Sequence, residues 1–179
     1  MIDYYAVSDK YTPYAKEMCH KIKGETVSGV PLTTREHGDA IDIAAREMAA
    51  IVPKNAVLVP IPSRHGYATD TLLLATRIGR LSGNVVKDVL RGNDRTSSCE
   101  AKKTGESVDF GFYMTEDVEG PIVYVDNVIS SGATARAAYG VKAGVFLVYA
   151  AVTKVAGFRH RTPMAGFRRT GRLRRAMLL

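Results

Sequence analysis

Tryptophan is absent from the 179-residue sequence, and cysteine occurs only twice, at Cys19 and Cys99. The two cysteines show no CxxC or Cys/His spacing, so neither a disulfide framework nor a structural zinc site is expected. Long apolar runs are also lacking, since the most apolar stretch, residues 143–152, is far shorter than the ~20 residues of a membrane-spanning helix. The N-terminus has an acid where a signal peptide would carry basic residues. These absences predict a soluble, cytoplasmic protein with no membrane span.

Acidic residues are missing from the C-terminal segment, residues 154–179, which carries eight lysines and arginines. The net charge of +7 therefore comes from this segment, and the rest of the chain has a net charge of about −1. Such a basic segment could bind nucleic acid by neutralising phosphates. Blocks of like charge are often disordered, however, and aromatic residues are few here. A flexible tail is therefore favoured over a nucleic-acid-binding element.

Hydrophobic periodicity predicts helices that alternate with short apolar strands. Thr33 and Glu36 have the spacing of a capping box, followed by apolar residues at helical intervals, which predicts a helix over residues 34–51. Further helices are predicted at residues 70–81 and 134–142, and strands near residues 56–62, 85–90, 110–114, 121–125 and 145–152. This alternation is typical of an α/β fold with an open, mostly parallel sheet flanked by helices. We expect one domain, residues 1–153, followed by the tail.

A cluster of small and hydroxylated residues follows the apolar run 122–125. Ser130, Ser131, Gly132 and Thr134 stand just before a predicted helix, where oriented backbone N–H groups and the positive helix end bind phosphate. Gly132 allows close approach of the backbone to an anion. Asp126, at the end of the predicted strand, is placed to hold sugar hydroxyls beside that phosphate. The sequence therefore predicts a site for a sugar phosphate.

Residues 122–134 resemble the phosphoribosyl pyrophosphate (PRPP) signature of type I phosphoribosyltransferases, which consists of an apolar strand, two acids and a small-residue phosphate loop. Asn127 stands where the family has its second acid, and its amide can still bond a ribose hydroxyl. Restoring the acid with Asn127→Asp is therefore expected to keep or raise activity. The resemblance implies PRPP binding by Asp126, Asn127, Ser130, Ser131, Gly132, Ala133 and Thr134.

Two further loops resemble the same family. The loop Ser63, Arg64, His65 and Gly66 occupies the place of the family's pyrophosphate-binding loop. The long polar segment 91–107 occupies the place of its mobile catalytic loop, and the part with Lys102 and Lys103 is similar to the Lys-rich loop of orotate phosphoribosyltransferases. The segment Val59-Pro60-Ile61-Pro62 and the loop entry Arg95-Thr96 also look like the competence-associated ComF branch.

The resemblance spans roughly residues 34–152 and carries several implications. It implies a small N-terminal hood at residues 1–33, a homodimer, and Mg²⁺ held with PRPP at Asp126. It also implies catalytic roles for Lys102, Lys103 and Asp126. Ser130 replaces the aspartate that assists at the purine ring in the 6-oxopurine branch, which argues against a hypoxanthine or guanine enzyme.

Two functions from different classes remain open. The first is an enzyme that transfers ribose 5-phosphate from PRPP to a nucleobase nitrogen and releases pyrophosphate, with small-molecule substrates. The second is a PRPP- or nucleotide-binding protein without turnover, regulatory or competence-associated. A dinucleotide-binding domain is not favoured, because no GxGxxG follows a strand, and no GxxxxGK phosphate loop is present either. The sequence favours the transferase.

Overall fold

The computed structural model describes residues 1–27, 29–96, 108–152 and 155–162. The following elements appear in chain order: β1 Ile2–Ser8, α1 Pro13–Ile22, α2 Thr34–Ala49, β2 Val57–Pro60, α3 Asp70–Ser82, β3 Val85–Val86, β4 Leu90–Arg91, β5 Tyr113–Met114, β6 Ile122–Ile129, α4 Ala133–Val141, β7 Val145–Ala151 and β8 Phe158–His160.

Six of the strands form one sheet in the order β3-β2-β6-β7-β1-β8. Every pairing within it is parallel; Val59 of β2 lies opposite Tyr124 of β6, which in turn lies opposite Phe146 of β7. β4 and β5 form a separate antiparallel pair. The predicted α/β fold with an open parallel sheet is therefore confirmed. Because all six strands point the same way, their carboxyl ends and the loops that follow them meet at one edge.

Helices cover both faces of the sheet, and each face has its own apolar core. On one face, α1, α2 and α3 pack over Val123, Val125 and Leu147. On the other face, α4 packs over Tyr124, whose hydroxyl donates to the carbonyl oxygens of Ala138 and Lys142. The central strands β6 and β7 are buried almost throughout, as expected for parallel strands covered on both sides.

The predicted helix ends are close to those observed. Both halves of the capping box at the start of α2 are present, since Thr33 accepts from the backbone N–H of Glu36 and the Glu36 carboxylate accepts from that of Thr33. Gly83 ends α3 with a positive φ of 76°, a conformation in which glycine avoids the steric cost of a Cβ. Within the described ranges, no helix is long and apolar enough to cross a membrane.

Both ends of the chain depart from the sequence predictions. Residues 1–33 were expected to form a hood, but β1 lies inside the main sheet between β7 and β8, and α1 packs against α2. The flexible tail was expected to begin at residue 154, yet β8 pairs with β1 as an edge strand. The physical reason is an ion pair that composition does not reveal: Asp3 of β1 accepts hydrogen bonds from Arg159 and Arg161. The remaining basic residues, from 163 onward, lie outside the described residues.

Docking of β8 is expected to weaken in acid. Arg159 of β8, and to a smaller extent Arg161 directly after it, hold the pKa of Asp3 at about 2, below the ordinary 3.8. A carboxylate with a lowered pKa stabilises the fold above its unfolded pKa, and this contribution disappears as the pH falls through the folded value. The protection factors of the β8 amides, which correct for the intrinsic pH dependence of exchange, should therefore fall between about pH 4 and about pH 2. In Asp3→Asn these protection factors should already be low at neutral pH and should not change over this range; protection equal to that of the parent would contradict the ion-pair account.

Candidate functional site

A notch at the carboxyl edge of the sheet lies where two neighbouring strands end at different heights. β2 ends at Pro60, opposite Val125, whereas β6 continues to Ile129. Asp126 is the first residue of β6 beyond the end of β2, and the chain turns away at Ile61, whose N–H donates to the carbonyl of Val125. This step in the sheet leaves Asp126 beside the loop that follows β2.

Asp126 is a half-buried carboxylate in a field of positive charge. Burial raises its pKa to about 6, and three neighbours oppose this rise: Lys23 at the end of α1, the backbone N–H of Asn127, and Arg95. The Asn127 N–H donates to Asp126 Oδ1 at 2.7 Å. With a pKa near 6 the side chain is mostly ionised at neutral pH, where it can accept hydrogen bonds from sugar hydroxyls or contribute one oxygen to a cation.

Two of the loops predicted to act on a ligand are bound to each other at this edge. In the loop after β2, the carbonyl of Arg64 accepts from the Arg95 N–H and the carbonyl of Gly66 accepts from the Gly92 N–H. Gly66 has a φ of +84°, and an added Cβ there would collide with the Gly92 carbonyl. The side chains of Arg64 and His65 are exposed, with the Arg64 Nε donating to His65 Nε2 at 3.2 Å. The predicted pyrophosphate loop therefore lies at the entrance of the predicted catalytic loop.

Arg95 is a site residue that the sequence assigned to no binding role. Its guanidinium is half-buried, lies over the rings of Phe110 and Phe112, and donates to the carbonyl oxygen of Ser63 at 3.0 Å. Burial lowers its pKa, and the nearby Asp126 carboxylate opposes that change. Arginine remains charged under such conditions. The alternation of Phe110 and Phe112 was interpreted as a strand, whereas the observed strand β5 starts at Tyr113 and the two rings support Arg95 instead.

The predicted phosphate loop lies between β6 and α4, as the sequence indicated. Ser130 and Ser131 are exposed, Ala133 and Thr134 are half-buried in the first turn of α4, and Gly132 is the N-cap with a φ of +76°. The hydroxyls of the two exposed serines lie beside the N-terminus of α4, where the Ala133 N–H donates to Ser131 Oγ at 3.4 Å. Such an arrangement suits a phosphate group.

Asn127 does not join this group, which corrects the prediction that it contacts PRPP. Successive side chains of a strand point to opposite faces, so Asp126 and Asn127 cannot both face the notch. Asn127 is only 2% exposed; its Nδ2 donates to the carbonyl of Cys19 at 3.1 Å, and the Cys19 Sγ donates to the Asn127 carbonyl at 3.3 Å. Burial raises the pKa of Cys19 to about 12, which keeps the thiol protonated as a donor. Asn127 therefore anchors α1 to the sheet.

Lys102 and Lys103 lie outside the described residues, so their predicted catalytic role stays a prediction. Over residues 1–27, 29–96, 108–152 and 155–162, no group of three or more His, Cys, Asp or Glu side chains could hold a metal ion. A lone carboxylate such as Asp126 suits Mg²⁺ that arrives with phosphate oxygens, because Mg²⁺ usually binds one or two carboxylates together with substrate phosphates and water.

The sequence matches no family model and no curated protein. Among solved structures, the chain is similar to one described as the allosteric regulatory enzyme of purine biosynthesis, with 16% identity and a TM-score of 0.43 over 74% of this chain. It is also similar to UMP synthase from Leishmania donovani, with 14% identity and a TM-score of 0.36 over 79% of this chain. The chain spans 30% and 31% of the length of these two proteins. At such TM-scores, neither likeness adds to the fold described above.

Proposed function

We propose that the chain binds PRPP at the carboxyl edge of its sheet and transfers ribose 5-phosphate to a nucleobase. The observation that carries the proposal is the notch around Asp126. One carboxylate, that of Asp126, lies there in positive surroundings, four residues before the small-residue loop that precedes α4 and close to Arg95 in one of two joined polar loops. PRPP carries the matching groups in the matching order, with a phosphate at one end, ribose hydroxyls in the middle and a pyrophosphate at C1.

Each part of the notch has a proposed partner on the ligand. The 5-phosphate binds the hydroxyls and amides of residues 130–134, and Asp126 accepts from the ribose hydroxyls. The pyrophosphate binds the loop of residues 63–66, where Arg95, which lies over the rings of Phe110 and Phe112, adds a positive charge. Because the loop of residues 63–66 follows β2, and Asp126 and the phosphate loop belong to the neighbouring strand β6 and the turn after it, the two sides of the notch can hold the reacting sugar in a fixed orientation.

The chemistry of such a transfer places clear demands on the protein. The bond between C1 and the pyrophosphate oxygen breaks as the nucleobase nitrogen forms its bond to C1, and negative charge grows on the departing pyrophosphate. Mg²⁺ bound with PRPP supplies part of the compensating charge. The chain itself supplies the rest through Arg95 and Arg64, which lie in or beside the pyrophosphate loop, and through Lys102 and Lys103.

A second candidate function is PRPP binding without transfer, and the position of Asn127 favours it. Where two acids would face the ribose, this chain offers Asp126 alone, since the Asn127 side chain is bound to Cys19. A single charge beside the sugar stabilises a positively charged transition state less than two charges would. A regulatory or competence-associated protein would need only the ground-state binding.

A panel assay separates these two functions. Each common nucleobase is mixed with the protein, PRPP and Mg²⁺, and pyrophosphate release is recorded, while binding of PRPP is measured in parallel by calorimetry. Release that depends on one base supports the transferase. Binding without release for every base would establish the second candidate, and absence of both would overturn the PRPP site. The predicted homodimer is tested on the same samples by sedimentation.

Lys102 and Lys103 are expected to affect turnover more than PRPP affinity. A loop that closes on the pyrophosphate makes its charged contacts mainly as the leaving group develops, and such contacts appear in kcat. Replacing both lysines by alanine should lower kcat about tenfold or more, with little change in PRPP binding. Lys54→Ala, in the turn before β2, is the matched control for losing a lysine. An unchanged kcat in the double variant would remove this segment from the mechanism.

A further inference from the structure

The C-terminal strand β8 contacts the loop that the proposed function assigns to the 5-phosphate. Gly132 is the N-cap of α4, and the Phe158 ring occupies the space into which a Cβ at this position would project. An added Cβ would lie 2.5 Å from Phe158 Cε2 and 3.0 Å from Val155 Cγ1. Gly132 is buried, whereas Ser130 and Ser131 beside it are exposed. Phe158 therefore fills the side of the loop where the Cβ is missing and leaves the hydroxyl side open.

Arg136 connects the same two segments. It lies one turn into α4, donates from Nη2 to the Ser131 carbonyl at 2.5 Å and from Nη1 to the Ala156 carbonyl at 3.3 Å. Its guanidinium also lies 5.5 Å from the centre of the Phe158 ring. Arg136 thus links the phosphate loop to the turn before β8, and Phe158 packs between them.

β8 has anchors of its own, independent of Phe158. The Asp3 carboxylate binds Arg159 and Arg161, the N–H of Ile2 donates to the Gly157 carbonyl, and the rings of Tyr4 and His160 lie 5.1 Å apart. The strand is therefore fixed to β1 at several points. A rigidly held strand can impose a shape on a short loop that packs against it, which a freely moving tail could not do.

We infer that β8 is part of the phosphate site, with Phe158 and Arg136 as positioning residues that hold the loop 130–132 in its phosphate-binding shape. The inference rests on the proposed function, because the ligand concerned is the phosphate of PRPP. Neither residue needs to touch the ligand. Phe158 acts by packing against Gly132, and Arg136 acts by binding the Ser131 carbonyl, so that the amide and hydroxyl donors of the loop point outward before a ligand arrives.

Two pairs of variants separate positioning from simple loss of packing or charge. Phe158→Ala removes the ring, whereas Phe158→Leu keeps a large apolar side chain against Gly132. Arg136→Ala removes the charge and both carbonyl bonds, whereas Arg136→Lys keeps the charge but cannot bridge both carbonyls with a planar fork. Tyr139→Ala, an exposed aromatic residue on α4, is the matched control.

Two quantities are measured on the full chain. Calorimetric titration with PRPP and Mg²⁺ gives the affinity, and hydrogen exchange of residues 129–136 without ligand reports the order of the loop. We expect Phe158→Ala and both Arg136 variants to weaken PRPP binding about tenfold and to accelerate exchange in the loop, with Phe158→Leu close to the parent and Tyr139→Ala unchanged. Parent-like affinity in Phe158→Ala, or in Arg136→Lys while Arg136→Ala is impaired, would overturn the positioning role and leave the proposed function intact. Failure of the parent chain itself to bind PRPP would overturn both.

Discussion

Changing Asn127 to aspartate is expected to destabilise the folded chain by about 3 kcal/mol, instead of restoring a ligand contact. The substituted carboxylate would lie in a site that is 2% exposed, with the Cys19 carbonyl where the Asn127 amide now donates. The carboxylate oxygen would then face the carbonyl oxygen of Cys19, and both atoms are hydrogen-bond acceptors. The buried negative charge would therefore have no donor in place of the lost bond. Urea unfolding near neutral pH measures the loss directly.

Urea unfolding repeated at lower pH provides the control for this variant. Burial raises the pKa of an introduced carboxyl, so its protonated form, which can donate to the Cys19 carbonyl, is populated as the pH falls. The loss of stability in Asn127→Asp should be present above about pH 4, the pKa of an aspartate in the unfolded chain, and should shrink as the pH falls toward that value. The parent chain has no titrating group at position 127 and lacks this dependence. Parent-like stability of Asn127→Asp combined with tighter PRPP binding would show that the side chain faces the ligand, and would contradict the structure.

Gly132→Ala is expected to cost about 2–4 kcal/mol of stability and to weaken PRPP binding at the same time. Two effects add at this position. The φ of +76° is a conformation that an L-residue adopts only with strain, and the new methyl group would collide with the Phe158 ring. The ring or the loop must move, and a shifted loop no longer presents its donors to a phosphate.

Gly140→Ala is the matched control, because it makes the same chemical change in the same helix. Gly140 lies in α4, and apart from its chain neighbours and the backbone of its own helix no described atom lies within 4 Å of an added Cβ. Alanine has the higher helix propensity, so this variant should be as stable as the parent or gain up to about 1 kcal/mol, with PRPP binding unchanged. Equal effects of the two substitutions would show that Gly132 has no special role.

The sequence predicted those parts of the fold that depend on local patterns. The capping box at Thr33 and Glu36 placed the start of α2, because its two hydrogen bonds involve residues three apart. The apolar run before Asp126 and the small residues after it placed β6, the loop and α4 in the right order. The strand was predicted to end at Val125 but runs to Ile129, because β7 extends equally far and pairs with it.

Features that depend on distant contacts could not be predicted in the same way. The first residues were interpreted as a hood, because the place of β1 in the sheet rests on pairing with β7, almost the whole chain away. The orientation of Asn127 depends on α1, and a family signature read along one strand gives no information about that partner. Phe158 and Arg159 were interpreted as parts of a basic tail, since only the fold brings them to Gly132 and Asp3.

The central claim is that PRPP binds at the notch with Asp126 on its ribose, and calorimetric titration of the parent and of Asp126→Asn tests it most directly. Asparagine keeps the shape of the side chain and removes a half-buried charge that its surroundings disfavour, so stability should be unchanged or higher. The account predicts PRPP binding by the parent with Mg²⁺ in the micromolar to millimolar range, and at least about tenfold weaker binding by Asp126→Asn. Equal affinity of the two proteins for PRPP would place the ligand elsewhere and contradict the account.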